Sequence, residues 1–264
     1  MDKLLEVKNL KVEFRVEDKF IHAVAGVDLQ VNANEIVVLA GESGSGKSAT
    51  ALALTRILPA NARITSGEVV FQGRDILGLT EKELINIRGK DISYIFQEPA
   101  SYLNPVYTIG SQISEVIVLH QHKSRKEADE LALGLLEQVR ITEPKRVFFS
   151  YPHQLSGGMN QRAFIAMSLA GNPKLLIADE PTTALDVTIE AQILELLSQL
   201  QQRMKFSMVF ITHNLSIARR ISRRVIVMYQ GKIVEQADTA AIFKSPEHFH
   251  TKELIAAYEK IGRI

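Results

Sequence analysis

Two stretches near the start of the chain, 10–14 and 27–31, place apolar residues at every second position. A period of two is the side-chain period of a β-strand, so both stretches predict half-buried strands. The run Ile36–Ala40 is apolar throughout, which is typical of a central parallel strand covered on both faces. Alternation returns at Ile92–Phe96 and predicts another strand, which leads to Gln97.

Helical spacing of apolar residues dominates the middle of the chain, from about residue 108 to residue 170. Ser124 and Glu127 have the spacing of a capping box, in which each side chain satisfies a backbone N–H at the start of a helix. Thr80 and Glu83 have the same spacing and predict a short helix earlier in the chain. We therefore expect a helical subdomain inserted into an α/β core.

The α/β pattern continues on both sides of this helical stretch. A helix at Ala49–Leu58, stopped by Pro59, and a short strand at Glu68–Phe71 precede it. After it we predict strands at Lys174–Ala178, Ser207–Ile211, Arg224–Tyr229 and Lys232–Glu235, a helix at Thr188–Met204 and a terminal helix at Ser245–Ile264. The expected organisation is one domain over 1–264, with a core at 1–97 and 171–244, a helical subdomain at 98–170 and a helical tail at 245–264.

Composition excludes several kinds of site. The 264 residues contain no Cys, which excludes disulfides, Cys-ligated zinc and iron–sulfur clusters. Lys and Arg total 31 and Asp and Glu total 30, so there is no strong electrostatic case for nucleic acid, and no nucleic-acid partner is expected. No apolar run approaches the roughly 18 residues of a membrane span. Any work at a membrane is therefore expected to go through partners.

The segment at 41–48, GESGSGKS, matches the phosphate-loop pattern G-x-x-x-x-G-K-[ST] between a predicted strand and a predicted helix. Its glycines let the main chain approach a phosphate closely while backbone N–H groups point inward. Lys47 would place a positive charge on the β- and γ-phosphates of ATP, and Ser48 would supply a hydroxyl to Mg²⁺. A flexible Gly/Ser turn is the plainer interpretation, but it does not need this strand-to-helix setting. The expected ATP-binding residues of the segment are Gly41, Glu42, Ser43, Gly44, Ser45, Gly46, Lys47, Ser48 and Ala49.

An apolar strand that ends in two acids follows at 175–181, LLIADEP. Adjacent carboxylates at the end of a buried strand are unfavourable unless something uses them. Asp179 as a Mg²⁺ ligand and Glu180 as the base for an attacking water would account for both. Exposed acids at an ordinary strand exit are the alternative, which the phosphate loop upstream disfavours.

The segment at 155–162, LSGGMNQR, predicts a helix that starts at two glycines with Ser156 as its cap. Such a start is a further anion-binding end. Because the chain already carries a phosphate loop, this end would serve a nucleotide held by a second subunit. A plain Ser-Gly-Gly helix start is the alternative for the segment taken alone.

In chain order, the phosphate loop, Gln97, LSGG, IADEP, TALD and His213 together resemble an ATP-binding-cassette nucleotide-binding domain. The resemblance covers nearly the whole chain. It implies an α/β fold, namely a P-loop NTPase (RecA-like) core with an antiparallel β subdomain and an inserted helical subdomain. It also implies an ATPase that uses ATP and Mg²⁺ and couples hydrolysis to transport across a membrane.

The resemblance assigns further roles to single residues. Gln97 resembles the loop glutamine that touches Mg²⁺ and the attacking water, and His213 resembles the switch histidine at the γ-phosphate. Asp186 in TALD resembles the loop that links two ATP sites across a dimer. The LSGG segment, with Ser156, Gly157 and Gly158, resembles the family's signature, which closes over the γ-phosphate held by the partner.

The aromatic side chain that stacks on adenine is open among three candidates. Phe14 resembles the aromatic residue of the family, and its plainer role is that of a strand core residue. Phe20 and His22 are alternatives, because the loop there is longer than usual.

The partners implied by the resemblance make the chain one part of a larger assembly. They are a second, non-identical ATPase subunit in a head-to-tail dimer, two membrane permeases and, indirectly, an extracytoplasmic substrate-binding protein. Pro99–Ile113 is the candidate docking surface for a permease helix, with a mobile surface loop as the alternative. The implied location is the cytoplasmic face of the inner membrane, as a peripheral subunit.

Several stretches resemble the peptide and nickel importer branch of the family, at 96–113, 150–162, 175–194 and 245–257. Met159, where the signature commonly has Gln, also occurs in that branch. Oligopeptide and dipeptide members usually continue into a Cys-containing tail, whereas nickel members lack that tail, and this chain ends at Ile264. Import of peptides and import of nickel or metal chelates both stay open at this point.

The alternative function is that of a soluble cassette ATPase in DNA repair or on the ribosome. Such proteins generally carry a long coiled coil or two cassettes, whereas this sequence has one phosphate loop and no sustained heptads. A P-loop kinase of small molecules is a further alternative, but it would not need LSGG.

Overall fold

The computed structural model describes residues 2–183 and 185–261. The chain divides into two compact units. The first unit contains the residues up to Leu84 and those from Ser207 onward, and the second unit is Ile85–Phe206. The boundaries predicted for the core, the helical subdomain and the tail stay predictions, and residues 262–264 of that tail lie outside the described residues.

Strands and helices follow one another in the predicted order. In chain order the strands are β1 (Lys3–Val16), β2 (Lys19–Asn32), β3 (Ile36–Ala40), β4 (Ala62–Phe71), β5 (Arg74–Asp75), β6 (Ile92–Ile95), β7 (Leu175–Asp179), β8 (Ser207–Thr212), β9 (Arg224–Tyr229) and β10 (Lys232–Asp238). The helices are α1 (Lys47–Ala53), α2 (Glu81–Ile85), α3 (Ile109–Gln121), α4 (Arg125–Gln138), α5 (Pro144–Phe148), α6 (Gly157–Leu169), α7 (Val187–Met204), α8 (Ser216–Ile221), α9 (Thr239–Lys244) and α10 (Phe249–Ile261).

An antiparallel sheet in the first unit has the strand order β2–β1–β4–β5. Its strand β4 begins at Ala62 rather than at the predicted Glu68. Gly67 interrupts the apolar pattern of β4. Its backbone lies so close to β1 that an added Cβ would be 2.6 Å from Leu10 Cα. This glycine therefore marks a close backbone approach inside the strand and not the start of the strand.

Parallel strands in the first unit surround β3. This strand pairs with β8 from Ile36–Met208 to Ala40–Thr212, and it pairs with β9 on its other side. The prediction of a central parallel strand is confirmed, and the burial of β3 between two neighbours explains its apolar sequence. The strand β10 extends this group as the antiparallel partner of β9.

The second unit contains a parallel strand pair and most of the long helices. The pair is β6 and β7, and the Ser168 hydroxyl on α6 donates to Tyr94 O on β6 at 2.8 Å. The predicted capping box of α4 is confirmed: Ser124 N–H donates to Glu127 Oε2 at 2.9 Å, and Glu127 N–H donates to Ser124 Oγ at 3.4 Å. Hydrogen bonds from the Ser124 hydroxyl and N–H hold the pKa of the Glu127 carboxyl below its ordinary value.

The helix α1 ends at Ala53, earlier than the predicted end at Leu58. Arg56 adopts a left-handed conformation with φ 57°, and its N–H donates to Ala53 O at 3.1 Å. Ile57 N–H donates to Leu52 O at 3.0 Å. These two bonds form the closing pattern of a Schellman motif, which terminates the helix before Pro59 is reached.

The predicted terminal helix at Ser245–Ile264 corresponds to α10, and a further helix, α9, precedes it. The helix α9 ends at Lys244, and α10 begins at Phe249 rather than at Ser245. Between them, the N–H groups of Glu247 and His248 donate to the Glu235 carboxylate on β10 at 2.9 Å and 3.0 Å. Among the described residues, no helix combines the length and the apolar composition that crossing a membrane requires.

Two glycines in helices of the second unit allow a matched test of packing. At Gly110 in α3, an added Cβ would lie 2.3–2.5 Å from three ring carbons of Phe148. At Gly134 in α4, an added Cβ would meet no atom within 4 Å. We expect Gly110→Ala to lower the free energy of unfolding by about 1–3 kcal/mol through overpacking.

The control Gly134→Ala is expected to raise the free energy of unfolding by about 0.5–1 kcal/mol, because alanine favours helix more than glycine does. Urea unfolding of both variants beside the unsubstituted chain measures the two changes. Changes of the same sign would contradict the packing described for α3 and α5.

Candidate functional site

Backbone atoms of β2, of β9 and of the β9–β10 turn hold the loop between β3 and α1. Gly231 N–H, in the turn between β9 and β10, donates to Ser45 O at 3.0 Å. A Cβ added at Gly41 would lie 2.2 Å from Met228 O, and one added at Gly46 would lie 2.3 Å from Ala23 O. Gly46 also has φ 102°, a conformation that favours glycine. Glycine at positions 41 and 46 therefore lets the loop backbone pack closely against β9 and β2.

Charged and polar groups of the same loop are turned inward. The Lys47 ammonium donates to Gly41 O at 2.9 Å and to Glu42 O at 2.7 Å, and this residue is only 5% exposed. Ser45 Oγ is buried and has no hydrogen-bond partner among the described residues. By contrast, Ser48 is exposed at the start of α1. The loop thus combines a buried cation with a buried hydroxyl that the fold itself leaves unsatisfied.

His213 follows the strand next to this loop. It comes directly after Thr212, the last residue of β8, which pairs with Ala40 at the end of β3. Since neighbouring strands lie roughly 5 Å apart, the register brings His213 to the same edge as Gly41. The side chain of His213 is exposed at this edge. The structure therefore brings His213 and the loop together within the first unit.

Gln97, Asp179 and Glu180 lie at one edge of the strand pair in the second unit. Ile95 of β6 pairs with Ala178 of β7, so Gln97 and Glu180 each follow this pair by two residues. Gln97 is exposed, whereas the two acids are half-buried.

Glu180 is held in an unusual conformation. Its backbone is left-handed, with φ 45°, and Oε2 accepts a hydrogen bond from the Thr183 hydroxyl at 2.9 Å. The backbone N–H of Thr183 also donates to Glu180 O at 3.2 Å. A non-glycine residue held in this region of φ is uncommon, and such residues cluster at functional sites.

Ser156 caps α6, as predicted, and accepts a hydrogen bond from Met159 N–H at 3.3 Å. Gly157 is exposed, and a Cβ there would meet no atom within 4 Å. A Cβ at Gly158 would lie 3.4 Å from Ile189 Cγ2, which is ordinary van der Waals contact. The packing of this chain does not require glycine at position 157.

Asp186 caps the neighbouring helix α7, where its Oδ1 accepts from Ile189 N–H at 2.9 Å. The next residue, Val187, is 83% exposed. Because Ile189 also lies beside Gly158, the helix starts of α6 and α7 are adjacent within the second unit. The exposed Ser156, Gly157, Asp186 and Val187 lie at these two starts.

The three aromatic candidates of the first unit lie on two faces of the β1–β2 hairpin. Phe14 pairs with Ile21, whereas Phe20 and His22 pair with the residues on either side of Phe14 and so face the other way. The Arg63 guanidinium lies 4.4 Å from the centre of the Phe20 ring. His22 Nδ1 lies 3.1 Å from a carboxylate oxygen of Glu13. Both alternatives to Phe14 therefore already have polar partners.

In the first unit, the residues of the phosphate loop fit the anion that the sequence predicted. A buried ammonium and the unsatisfied Ser45 hydroxyl suit an anion such as a phosphate. For Mg²⁺, the predicted ligands are the Ser48 hydroxyl, the Gln97 amide oxygen and the Asp179 carboxylate, and oxygen donors are what this ion prefers. No cluster of three or more His, Cys, Asp or Glu suited to a metal ion occurs in the part of the chain that the structure describes.

Sequence reasoning missed the supports of these residues. The sequence predicts strands on both sides of Gln230–Gly231, but no local signal links this turn to a loop that lies far away in the sequence. Thr183 follows Glu180 by three residues, a spacing at which hydroxyl and carboxylate side chains commonly meet in turns. That spacing could have identified Thr183 as the partner of Glu180.

Comparison with known proteins gives concordant results. A family model described as ABC transporter matches residues 24–183. The chain is 49% identical over 255 residues to the probable peptide ABC transporter ATP-binding protein of Sinorhizobium fredii, covering 96% of this chain and 76% of that protein. It is 46% identical over 256 residues to the oligopeptide transport ATP-binding protein of Bacillus subtilis, covering 97% of this chain and 72% of that protein.

Solved structures of ATP-binding cassettes are also similar to this chain. A dimeric ATP-binding cassette in a post-hydrolysis state, bound to ADP and Pi, matches with a TM-score of 0.79 at 30% sequence identity. The match covers 89% of this chain and 98% of that cassette. The predicted α/β fold class, a P-loop NTPase core with antiparallel and helical additions, is confirmed by this similarity.

Proposed function

We propose, since the chain belongs to the ABC transporter family, that it binds Mg²⁺–ATP at Gly41–Ser48 and hydrolyses it with Glu180 as base to drive peptide uptake. That the chain is an ATPase of the ABC importer class follows from its relatives, which are transport and import ATP-binding proteins. The alternative of a cassette ATPase in DNA repair or on the ribosome is not favoured. Beyond this, we propose the role of each site residue, the assembly with partner subunits and the transported substrate.

The observation that carries the proposed chemistry is the shape of the phosphate loop. Its backbone is held by contacts with β2 and the β9–β10 turn, and its Lys47 ammonium is buried within the loop by hydrogen bonds to Gly41 O and Glu42 O. Preorganised donors stabilise transferred phosphoryl groups because they need no rearrangement during the reaction. Ser45 supplies a further buried donor, and His213 at the same strand edge would contact the γ-phosphate.

The roles proposed for the second unit concern water and metal. Glu180 would accept the proton of the attacking water, and the hydrogen bond from the Thr183 hydroxyl would orient its carboxylate for that role. Ser48, Gln97 and Asp179 would hold Mg²⁺. When bound, this ion would neutralise developing charge on the phosphate oxygens. Phe14 is the proposed adenine contact, because Phe20 and His22 are engaged by Arg63 and Glu13.

The signature is proposed to serve a nucleotide held by a second ATPase subunit. A Cβ at position 157 would meet no atom within 4 Å among the described residues, so this exposed helix start is open to a partner. Ser156 and Asp186 are exposed at adjacent helix starts, beside the 83% exposed Val187. A head-to-tail dimer with a non-identical partner would cover this surface. The dimeric form of the solved ADP-bound cassette supports such a pairing.

The docking surface proposed for a permease lies at Pro99–Ile113. Gln112 fixes this segment, because its amide accepts from Asn104 N–H at 2.8 Å and donates to Tyr107 O at 3.1 Å. Val106 is 70% exposed and Tyr102 is 51% exposed. Large apolar side chains exposed on a fixed loop are typical of a protein interface. Two permeases and an extracytoplasmic binding protein would complete the transporter, with this chain peripheral at the cytoplasmic face of the inner membrane.

Peptides are the proposed substrate class, rather than nickel or metal chelates. Relatives from Sinorhizobium, Brucella and Bacillus are named as peptide or oligopeptide transport proteins. We expect cells that lack this subunit to lose uptake of a labelled dipeptide and to regain it with the unsubstituted gene. Uptake of radioactive nickel in the same cells should be unchanged. Loss of nickel uptake with normal dipeptide uptake would reverse the substrate assignment.

The base assignment is tested by Glu180→Gln. The amide keeps an oxygen for the Thr183 hydroxyl but cannot take a proton from water, so we expect ATP hydrolysis by the assembled transporter to fall roughly 10²–10⁴-fold. Binding of ATP should persist, as measured by calorimetry. Glu195→Gln, a matched change at an exposed position further along α7, is expected to leave turnover unchanged. Near-normal turnover of Glu180→Gln would show that another group is the base.

The in-trans role of the signature is tested by Ser156→Arg. A bulky cation there should obstruct the partner's nucleotide, so we expect assembled transporters to lose most ATP hydrolysis, about tenfold or more. The isolated chain should still bind ATP. The control Ser124→Arg removes an equivalent helix cap from α4 and should leave hydrolysis intact. If the isolated Ser156→Arg chain lost ATP binding, the signature would act on its own chain's nucleotide instead.

A further inference from the structure

The turn that joins β9 to β10 lies directly behind the phosphate loop. Gly231 N–H donates to Ser45 O at 3.0 Å, and Gly231 O accepts from Ala25 N–H at 2.8 Å. Met228, near the end of β9, also meets the loop, since its carbonyl oxygen leaves no room for a Cβ at Gly41. The position of this turn therefore sets the position of the loop backbone.

Tyr229 projects from the same strand toward the C-terminal segment. Successive side chains of a strand point to opposite faces, and that of Met228 lies on the α1 side, with Sδ 3.8 Å from Thr50 Oγ1. The Tyr229 ring instead lies 4.1 Å from the ring of His250, measured between centroids. It also meets the Phe249 ring edge-on at 5.8 Å. Two consecutive residues thus join the phosphate loop to the start of α10.

His250 is buried without a strong polar interaction of its own. It is 1% exposed, and its Nε2 has no hydrogen-bond partner among the described residues. Its Nδ1 lies 3.7 Å from Oε2 of Glu253, a side chain that is 67% exposed, so water weakens this contact. Packing of the two rings is therefore the main interaction that His250 offers Tyr229.

Glu235 ties this segment to the same hairpin. It lies on β10 opposite Val227 of β9, and its carboxylate accepts hydrogen bonds from the N–H groups of Glu247 and His248. Burial opposes ionisation of Glu235, but these hydrogen bonds outweigh it and lower the pKa of the carboxyl below its ordinary value. The approach to α10 is thereby anchored two residues before His250.

We propose that His250 is a positioning residue for nucleotide binding, which holds Tyr229 and, through the β9–β10 turn, the backbone of the phosphate loop. The inference rests on the proposed function, because it concerns the affinity of that loop for ATP. Without the ring of His250, the turn and the loop sample other conformations. The apparent affinity for nucleotide then falls in proportion to the fraction of chains that keep the loop ready to bind.

The test measures binding of the Mg²⁺ complex of a nonhydrolysable ATP analogue to the isolated full-length chain by calorimetry. Loss of one aromatic contact predicts that His250→Ala binds about threefold to tenfold more weakly. His250→Phe, which keeps a flat ring, should bind within about twofold of the unsubstituted chain. Lys252→Ala, an exposed change on α10, is the control and should bind normally. All titrations are made well below the unfolding temperature of each variant.

A purely structural role would lower the unfolding temperature of His250→Ala and leave its affinity unchanged, and that result would overturn the proposal. Should His250→Ala fail to fold, Glu235→Ala releases the same segment without opening a core cavity, and it must then show the weakened binding. Hydrogen exchange should be faster in peptides covering 41–46 and 228–231 of the weakened variant. If the unsubstituted chain itself bound no analogue, the proposed function would be wrong; equal binding by all variants would refute this inference alone.

Discussion

Main-chain atoms approach the phosphate loop so closely from behind that two of its positions have no room for a side chain. A Cβ at Gly41 would lie 2.2 Å from Met228 O, and a Cβ at Gly46 would lie 2.3 Å from Ala23 O. A loop of glycines free in solution would sample many conformations and would lose much entropy on gripping a phosphate. Contacts with β2 and with the β9–β10 turn remove that freedom during folding, so the loop is shaped before the ligand arrives.

Glycine at these two positions is therefore favoured for two reasons. A phosphate must approach the loop backbone closely, and neighbouring main-chain atoms leave no room for a side chain. Gly157 is different, since among the described residues no atom lies within 4 Å of a Cβ added there. The contrast separates glycines whose space is taken by neighbouring backbone from a glycine whose space is open. This open space is one of the observations that support the proposed role of the signature toward a second subunit.

Most of the fold could be predicted from local patterns. The alternation of β1, the apolar run of β3 and the capping box of α4 each rest on residues close together in sequence, and each prediction is confirmed. The early end of α1 could not be predicted, because a left-handed Arg56 has no sequence signal of the kind that glycine provides. The gap between α9 and α10 depends on Glu235, whose partners lie on a different element.

For the candidate site, the motif residues could be named from the sequence, but their supports could not. Strand register brings His213 beside the loop in the first unit and Gln97 beside Glu180 in the second. The hydrogen bond from Gly231 to Ser45 O joins segments that no local pattern connects. The faces of β1 and β2 that separate Phe14 from Phe20 depend on strand register, which the sequence alone left open.

The turn at Gln230–Gly231 supports the loop at Ser45–Gly46, and this has a consequence for folding during synthesis. The ribosome releases the loop early, but the turn emerges roughly 180 residues later. At typical synthesis rates that interval lasts about 10 to 40 seconds. During it the nascent chain has the loop and β2 but lacks the β9–β10 turn, so the contacts that fix the loop backbone are incomplete. The loop takes its final conformation only when translation is nearly finished.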